Sequence, residues 1–222
     1  DKMWVNQGEI GNDSNGNDKR RNGVDDDNNG YIDDVHGINT VKRLNMEGDP
    51  SDISEISHGT HVAGIISAYE DCQGLAYNSK IMALAFFDYD GTGTIDDSVR
   101  CIDYAIDNGA KIINASYGGY STNSNQRKVE KAAIDRALAN GVLFVAAAGN
   151  DGQSNDYIND FVNQSGDLVT GKVYPASHLH QNVISVASVD ANGLLAESSN
   201  YGSETVDLAA PGHLIWSTVQ NE

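Results

Sequence analysis

The sequence predicts an α/β fold: a three-layer, doubly wound, mostly parallel sheet with helices on both faces. Three observations carry this expectation. Five short, nearly continuous apolar runs lie in the second part of the chain, helical stretches alternate with the first of them, and glycine-bearing segments sit where the runs end. Strands apolar on both faces and separated by helices indicate a parallel sheet covered on both sides. In such sheets chemistry collects at the carboxyl ends of the strands.

Taken in order, residues 1–57 are rich in Asn, Asp and Gly with little periodicity, and read as loops with a short hairpin. At His58 the texture changes, so 58–222 is the expected α/β core of a single domain. The first helix is expected over His58–Tyr69 and the first strand over Lys80–Phe86. A second helix, Ile95–Asn108, leads to the strand Lys111–Ser116. A third helix, Gln126–Asn140, places Val129, Ala132, Ala133, Leu138 and Ala139 on one face and stops at Asn140-Gly141. Strands follow at Val142–Ala148, Val183–Ser188 and Thr205–Ala209, with a further apparent strand at Leu214–Val219. Between them, Asp151–Val173 is a long polar stretch with no readable element, the kind of loop that is usually functional or disordered.

Thirty-two acidic residues against fourteen basic ones give a net charge of −18. That balance excludes nucleic acid and anionic membrane surfaces as partners, because phosphate binding needs clustered Lys and Arg. It is compatible with a secreted protein and with bound cations that offset self-repulsion. No apolar run approaches the roughly 18 residues that suggest a membrane span. The two cysteines, Cys72 and Cys101, make no disulfide scaffold and read as free thiols, with a single bridge as the alternative.

The strongest motif is His58-Gly-Thr-His-Val-Ala-Gly64. Glycines around a histidine at a helix start let other backbone approach closely, and an imidazole suits proton transfer near neutral pH. A zinc hydrolase needs a glutamate between such histidines, where Gly59 and Thr60 stand, so metal chemistry at this pair is disfavoured. HGTHVAG resembles the histidine motif of the subtilisin family. Asn114-Ala-Ser-Tyr-Gly-Gly119 resembles that family's substrate-pocket segment, and Val145-Ala-Ala-Ala-Gly-Asn150 its oxyanion-hole segment. Asp90-Gly-Thr-Gly93 resembles the strand that pairs with extended substrate, and Ala210-Pro-Gly212 the turn before the serine segment.

The resemblance implies a serine endopeptidase. His58 is then the general base, and Asn150 donates its side-chain amide to the oxyanion. Ser116, Tyr117 and Gly118 form one wall of the pocket, and Ala147, Ala148 and Gly149 the other. Gly91, Thr92 and Gly93 offer an edge to a polypeptide substrate bound as an extended strand. His61 is read as structural. The family's aspartate belongs ahead of the stretch that Trp4–Glu9 resembles, and its serine follows the Ala-Pro-Gly turn. The resemblance thus implies a sheet incomplete at both ends, and a chain that is poorly soluble and inactive by itself. It also implies a secreted or otherwise extracytoplasmic enzyme with an associated propeptide. The alternative is a catalytically inactive, calcium-stabilised binding module.

Asn22–Asp34 is dense in hard oxygen ligands around a glycine turn. Counted from Asp25, calcium-loop ligands fall at the first, third, fifth, seventh and ninth places: Asp25, Asp27, Asn29, Tyr31 (by its carbonyl) and Asp33, with Gly30 sixth. The twelfth residue is His36 rather than a bidentate glutamate, so the match is partial. Some members of the family carry a similar calcium-binding insert, which the resemblance extends to this chain as structural calcium. Asp88–Asp96 matches the first nine places of the same pattern, but its twelfth residue is Val99 and it overlaps the substrate-edge motif, so it is read as a false match. The short turn Glu70–Gln73 leaves little of another calcium loop that many members carry.

Overall fold

The computed structural model describes residues 2–41, 48–53, 57–69, 72–163, 166 and 168–220. Two compact units emerge, one of Asp1–Asn108 with Trp216–Glu222, the other of Gly109–Ile215. The change of texture at residue 58 does not coincide with this division.

The first unit holds a short 3-10 turn (Lys19–Arg21), β1 (Gly37–Asn39), α1 (His58–Ser67), β2 (Ala83–Ala85) and α2 (Ile95–Asp107). β1 runs parallel to β2, with Gly37 opposite Ala83, and a bridge from Met3 to Ile81 extends the pairing. The acidic N-terminal stretch therefore supplies, as well as a short antiparallel turn in which Asn12 bridges Asp18, a parallel strand. Its brevity hid it: three residues carry no readable period. α2 begins at Thr94, whose hydroxyl accepts from the Asp97 N–H, and Asp96 and Asp97 face the positive end of the helix dipole. Cys101, on its buried face, has its thiol pushed up to about 12 by burial, and both cysteines are free thiols. Glu70 and Asp71, in the short turn noted above, lie outside the described residues.

α1 shows why glycine follows the histidine motif. A Cβ on Gly64 would stand 2.2 Å from Thr218 Oγ1 and 2.3 Å from Ser217 Oγ. Those hydroxyls donate to the carbonyls of Thr60 and His61 at 2.7 Å each, so Trp216–Gln220 crosses α1 as a segment tied to helix backbone. The strand expected at Leu214–Val219 does not form: Leu214 takes φ 55°, outside the extended range, and Ser217 and Thr218 lie against α1. Gly64→Ala is expected to cost about 2–3 kcal/mol through overpacking, read as a lower urea midpoint; an unchanged midpoint contradicts the close crossing.

The second unit contains β3 (Ile112–Ala115), β4 (Gly119–Ser121), α3 (Ser124–Ala139), β5 (Leu143–Ala147), β6 (Asn159–Val162), β7 (Leu168–Tyr174), β8 (Val183–Val189) and β9 (Leu208–Pro211). Its main sheet is parallel throughout, in the order β3-β5-β8-β9, with Ile113 opposite Phe144 and Val145 opposite Ile184. A smaller antiparallel sheet has the order β4-β7-β6, and its strands β6 and β7 fall in the stretch expected to be loop. Gly171 and Lys172 interrupt the apolar pattern of β7, which concealed it.

On α3 the buried residues are Glu130, Ala133, Ile134 and Ala137, a clean helical spacing shifted from the expected face. Val129 and Leu138 are exposed. The shift follows from Glu130, whose carboxylate pairs with His178 at 2.8 Å with both side chains buried. A paired charge is tolerated inside where a lone one is not.

Asp156 closes the loop before β9. Partial burial raises its pKa, but the Thr205 hydroxyl, the Ser203 and Glu204 N–H groups and the Ser203 hydroxyl together pull it down to about 2. A depressed carboxylate stabilises the fold above its unfolded value of about 4, and that contribution is lost as pH falls toward 2. Asp156→Asn is expected to flatten stability between pH 4 and 2, measured by urea unfolding across that window; an equally steep acid loss in the variant counts against it.

Candidate active-site segments and acidic cluster

His58 is the first residue of α1 and is exposed. The helix starts from Ser57 in the left-handed region (φ 52°) with no side-chain cap of its own. Asp52 supplies the missing acceptor: its Oδ2 takes the Thr60 N–H at 2.8 Å and the Thr60 hydroxyl at 2.9 Å. A carboxylate at this end also complements the helix dipole, so the turn bearing His58 is anchored from outside. His61 is half-buried one turn on, its carbonyl held by Ser217.

Gly91, Thr92 and Gly93 form a tight turn rather than a strand within the chain. Asp88 Oδ1 accepts the N–H groups of Asp90 and Thr92, and Gly91 takes φ 70°. Gly93 lets the chain pass Phe86, whose carbonyl would lie 2.7 Å from a Cβ. An open cavity of about 720 Å³ adjoins the turn, lined by Thr92, Gly93, Asp88, Asp96, Asp97 and Arg100 among others. Arg100 is paired with Asp97, which leaves the lining net negative.

In the second unit, the two expected pocket segments come off neighbouring strands. Ser116, Tyr117 and Gly118 follow β3; Ala147 ends β5, and Ala148, Gly149 and Asn150 follow it. Both segments rest on one side chain: a Cβ on Gly118 would meet Val173 Cγ1 at 2.7 Å, and one on Gly149 would meet Val173 Cγ2 at 3.0 Å. Gly149 also takes φ 113°, which disfavours any other residue. Asn150, next in the chain, is exposed. The segment thus ends a parallel strand buried at alternate residues and turns on glycine into an exposed Asn150.

Of the acidic loop, Asp27 joins a cluster with Glu9 and Asp34, whose oxygens all lie within 4.8 Å of one another. Glu9 and Asp34 are fully buried. Asp25 and Asp33 turn elsewhere: Asp25 accepts the N–H groups of Asn29 and Gly30, and Asp33 that of Gly23. Asn29 Nδ2 donates to Asp34, and Tyr31 packs its ring edge-on against Tyr104 at 5.4 Å. Asn6 donates to both Asp27 and Asp34, and Tyr104 donates to Asp34. Glu9 Oε1 accepts from the Asp26 N–H, but Oε2 is buried with no hydrogen-bond partner. Desolvation raises the Glu9 pKa, and the nearby Asp34, Asp27 and Asp26 charges add to it. An all-carboxylate set with an orphaned buried oxygen fits a hard divalent cation such as calcium. Glu9 and Asp34 escaped the sequence reading because no local loop pattern contains Glu9. The only signal was the second Asp of the Asp33-Asp34 pair.

The sequence model of the subtilase family (Peptidase_S8) matches residues 11–222. Subtilisin-like protease 1 of Plasmodium vivax is 36% identical over 208 residues, covering 89% of this chain and 31% of that protein. A thermophilic serine proteinase of Bacillus sp. (strain AK1) is 38% identical over 175 residues, covering 77% of this chain and 37% of that protein. Among solved structures, the epidermin leader peptide processing serine protease of Staphylococcus aureus aligns at TM-score 0.66 and 28% identity, covering 79% of this chain and 46% of that one. A cold adapted subtilisin-like serine proteinase aligns at TM-score 0.64 and 28% identity, covering 82% and 57% respectively. The chain spans about a third of the length of the curated relatives it matches. On the family model and on relatives this similar over most of its length, the chain belongs to the subtilase family of serine peptidases.

Proposed function

We propose that this chain is part of a serine endopeptidase that cleaves polypeptides bound as an extended strand. His58 takes the proton from a serine hydroxyl and returns it to the leaving amine, while Asn150 donates to the oxyanion of the tetrahedral intermediate. Ser116–Gly118 and Ala147–Gly149 flank the residue before the scissile bond, and Gly91–Gly93 pairs with the substrate backbone. The observation that carries this reading is the β5 terminus, where a φ of 113° at Gly149 sets an exposed Asn150 beyond a buried parallel strand. Two solved relatives are leader-peptide peptidases, which supports a polypeptide substrate. The acidic lining beside Thr92 and Gly93 favours a basic side chain along the bound strand. Among the described residues no helix is long and apolar enough to cross a membrane. An extracytoplasmic enzyme matured from a propeptide is the corresponding setting. Calcium is its structural cofactor, held by Glu9, Asp27 and Asp34 with water completing the shell.

A fluorophosphonate probe, which phosphonylates an activated serine with loss of fluoride, tests the central claim on the full-length protein. Labelling with concurrent hydrolysis of a peptide amide is the expected result. A protein that binds peptide yet neither labels nor hydrolyses is the inactive, calcium-stabilised binding module instead.

A further inference from the structure

The segment bearing Asn150 is held by a polar network that the catalytic reading leaves unassigned. Asn200 is fully buried, and every hydrogen-bonding position of its side chain is used. Its Oδ1 accepts the N–H of Asp151 at 2.9 Å and of Gln153 at 3.0 Å. Its Nδ2 donates to Tyr120 Oη at 3.0 Å and to Asn155 Oδ1 at 3.2 Å. Its own backbone N–H donates to the Gly149 carbonyl at 2.9 Å. Two backbone N–H groups converge on one atom of the amide, which fixes that atom as oxygen and the other as nitrogen.

Asn155, also fully buried, donates to the Ala148 carbonyl at 2.6 Å. Tyr120, on β4, donates to Asp151 Oδ2 at 2.9 Å. Burial pushes the Tyr120 hydroxyl up to about 12, with Asp151 adding to the rise against the lowering bond from Asn200, so it remains a donor. The peptide groups on both sides of Asn150 are therefore pinned: the Ala148 and Gly149 carbonyls before it and the Asp151 N–H after it. Gly149 is required by the same contact, since a Cβ there would stand 2.5 Å from Asn200 Nδ2.

We propose that Asn200, seconded by Asn155 and Tyr120, is a positioning residue that fixes the backbone from which Asn150 reaches the oxyanion. This rests on the oxyanion role given to Asn150. A buried, fully satisfied amide is rigid, because any rotation leaves polar groups unpaired in a low-dielectric interior. An oxyanion donor rewards that rigidity, since its contribution depends on placement before the reaction begins. Tyr120 further links this segment to the strand that follows Ser116–Gly118, so both pocket segments share one frame.

The test compares Asn150→Ala, Asn200→Ala and the double variant in the full-length enzyme, with kcat and KM on a peptide substrate and a thermal melt for each. Asn200→Ala is expected to lower kcat about 10- to 100-fold with KM nearly unchanged, the cost of a misplaced catalytic group. In the Asn150→Ala background that loss should shrink to within about threefold, because Asn200 then has no donor to position. A kcat unaffected by Asn200→Ala, or an equal loss in both backgrounds, overturns the proposal and leaves Asn200 a fold residue. An Asn150→Ala variant with undiminished kcat overturns the oxyanion reading itself, a separate failure. Should Asn200→Ala not fold, Tyr120→Phe removes one hydroxyl from the network and is judged by the same kcat loss and the same non-additivity.

Discussion

His58→Ala in the full-length enzyme is expected to lower kcat by about 10⁶-fold, the scale that removing the histidine base brings in subtilisin. The size follows from the base acting in concert with its nucleophile: without a proton acceptor the serine hydroxyl stays protonated and the acyl-enzyme does not form. Asn150→Ala should cost far less, about 10²- to 10³-fold in kcat, because it removes one of several oxyanion donors and leaves the nucleophile active. The two variants therefore separate in a second readout. Fluorophosphonate labelling should all but vanish with His58→Ala and persist, slowed, with Asn150→Ala. A His58→Ala enzyme within tenfold of wild type would remove the general-base assignment. Equal losses from both variants would mean that they act through folding rather than chemistry, which a melt on each would expose.

How much of this was legible in the sequence depends on whether the deciding contacts are local. β5 and β8 were readable because Leu143–Ala147 and Val183–Val189 are short apolar runs bounded by turn residues. α1 began at His58 as expected, and its glycine at position 64 was rightly read as a place of close approach. The α3 face was misjudged because Glu130 counts as a surface residue until it is seen to meet His178, 48 residues on in the sequence. β6 and β7 were missed because Asp160 interrupts the first and Gly171 and Lys172 the second. The pinning of Asn150 was invisible: Asn155 and Asn200 look like ordinary turn residues, and only their mutual bond reveals their burial. The acidic cluster failed in the same way. A loop template tests fixed places within one segment, whereas burial selected Asp34 from a place the template does not use and Glu9 from well before it.

Removing calcium is the second large effect expected. Two fully buried carboxylates and a third within 4.8 Å repel one another and leave Glu9 Oε2 without a partner. A divalent ion converts that repulsion into attraction and supplies the missing contact. At calcium about 100- to 1,000-fold above its Kd, mass action stabilises the folded state by about 3–4 kcal/mol. For a domain of this size that corresponds to a fall in Tm of roughly 6–16 °C on chelation. The variants discriminate between ligand sets. Glu9→Gln should abolish the calcium-dependent part of Tm, and without calcium it should be no less stable than wild type, since one of the repelling charges is gone. Asp33→Asn should keep the calcium increment, because its carboxylate serves the Gly23 N–H instead. If Asp33→Asn loses the increment and Glu9→Gln keeps it, the ion sits in the loop outlined by Asp25, Asp27, Asn29, Tyr31 and Asp33. If chelation leaves Tm unchanged in the wild type, the cluster holds no calcium.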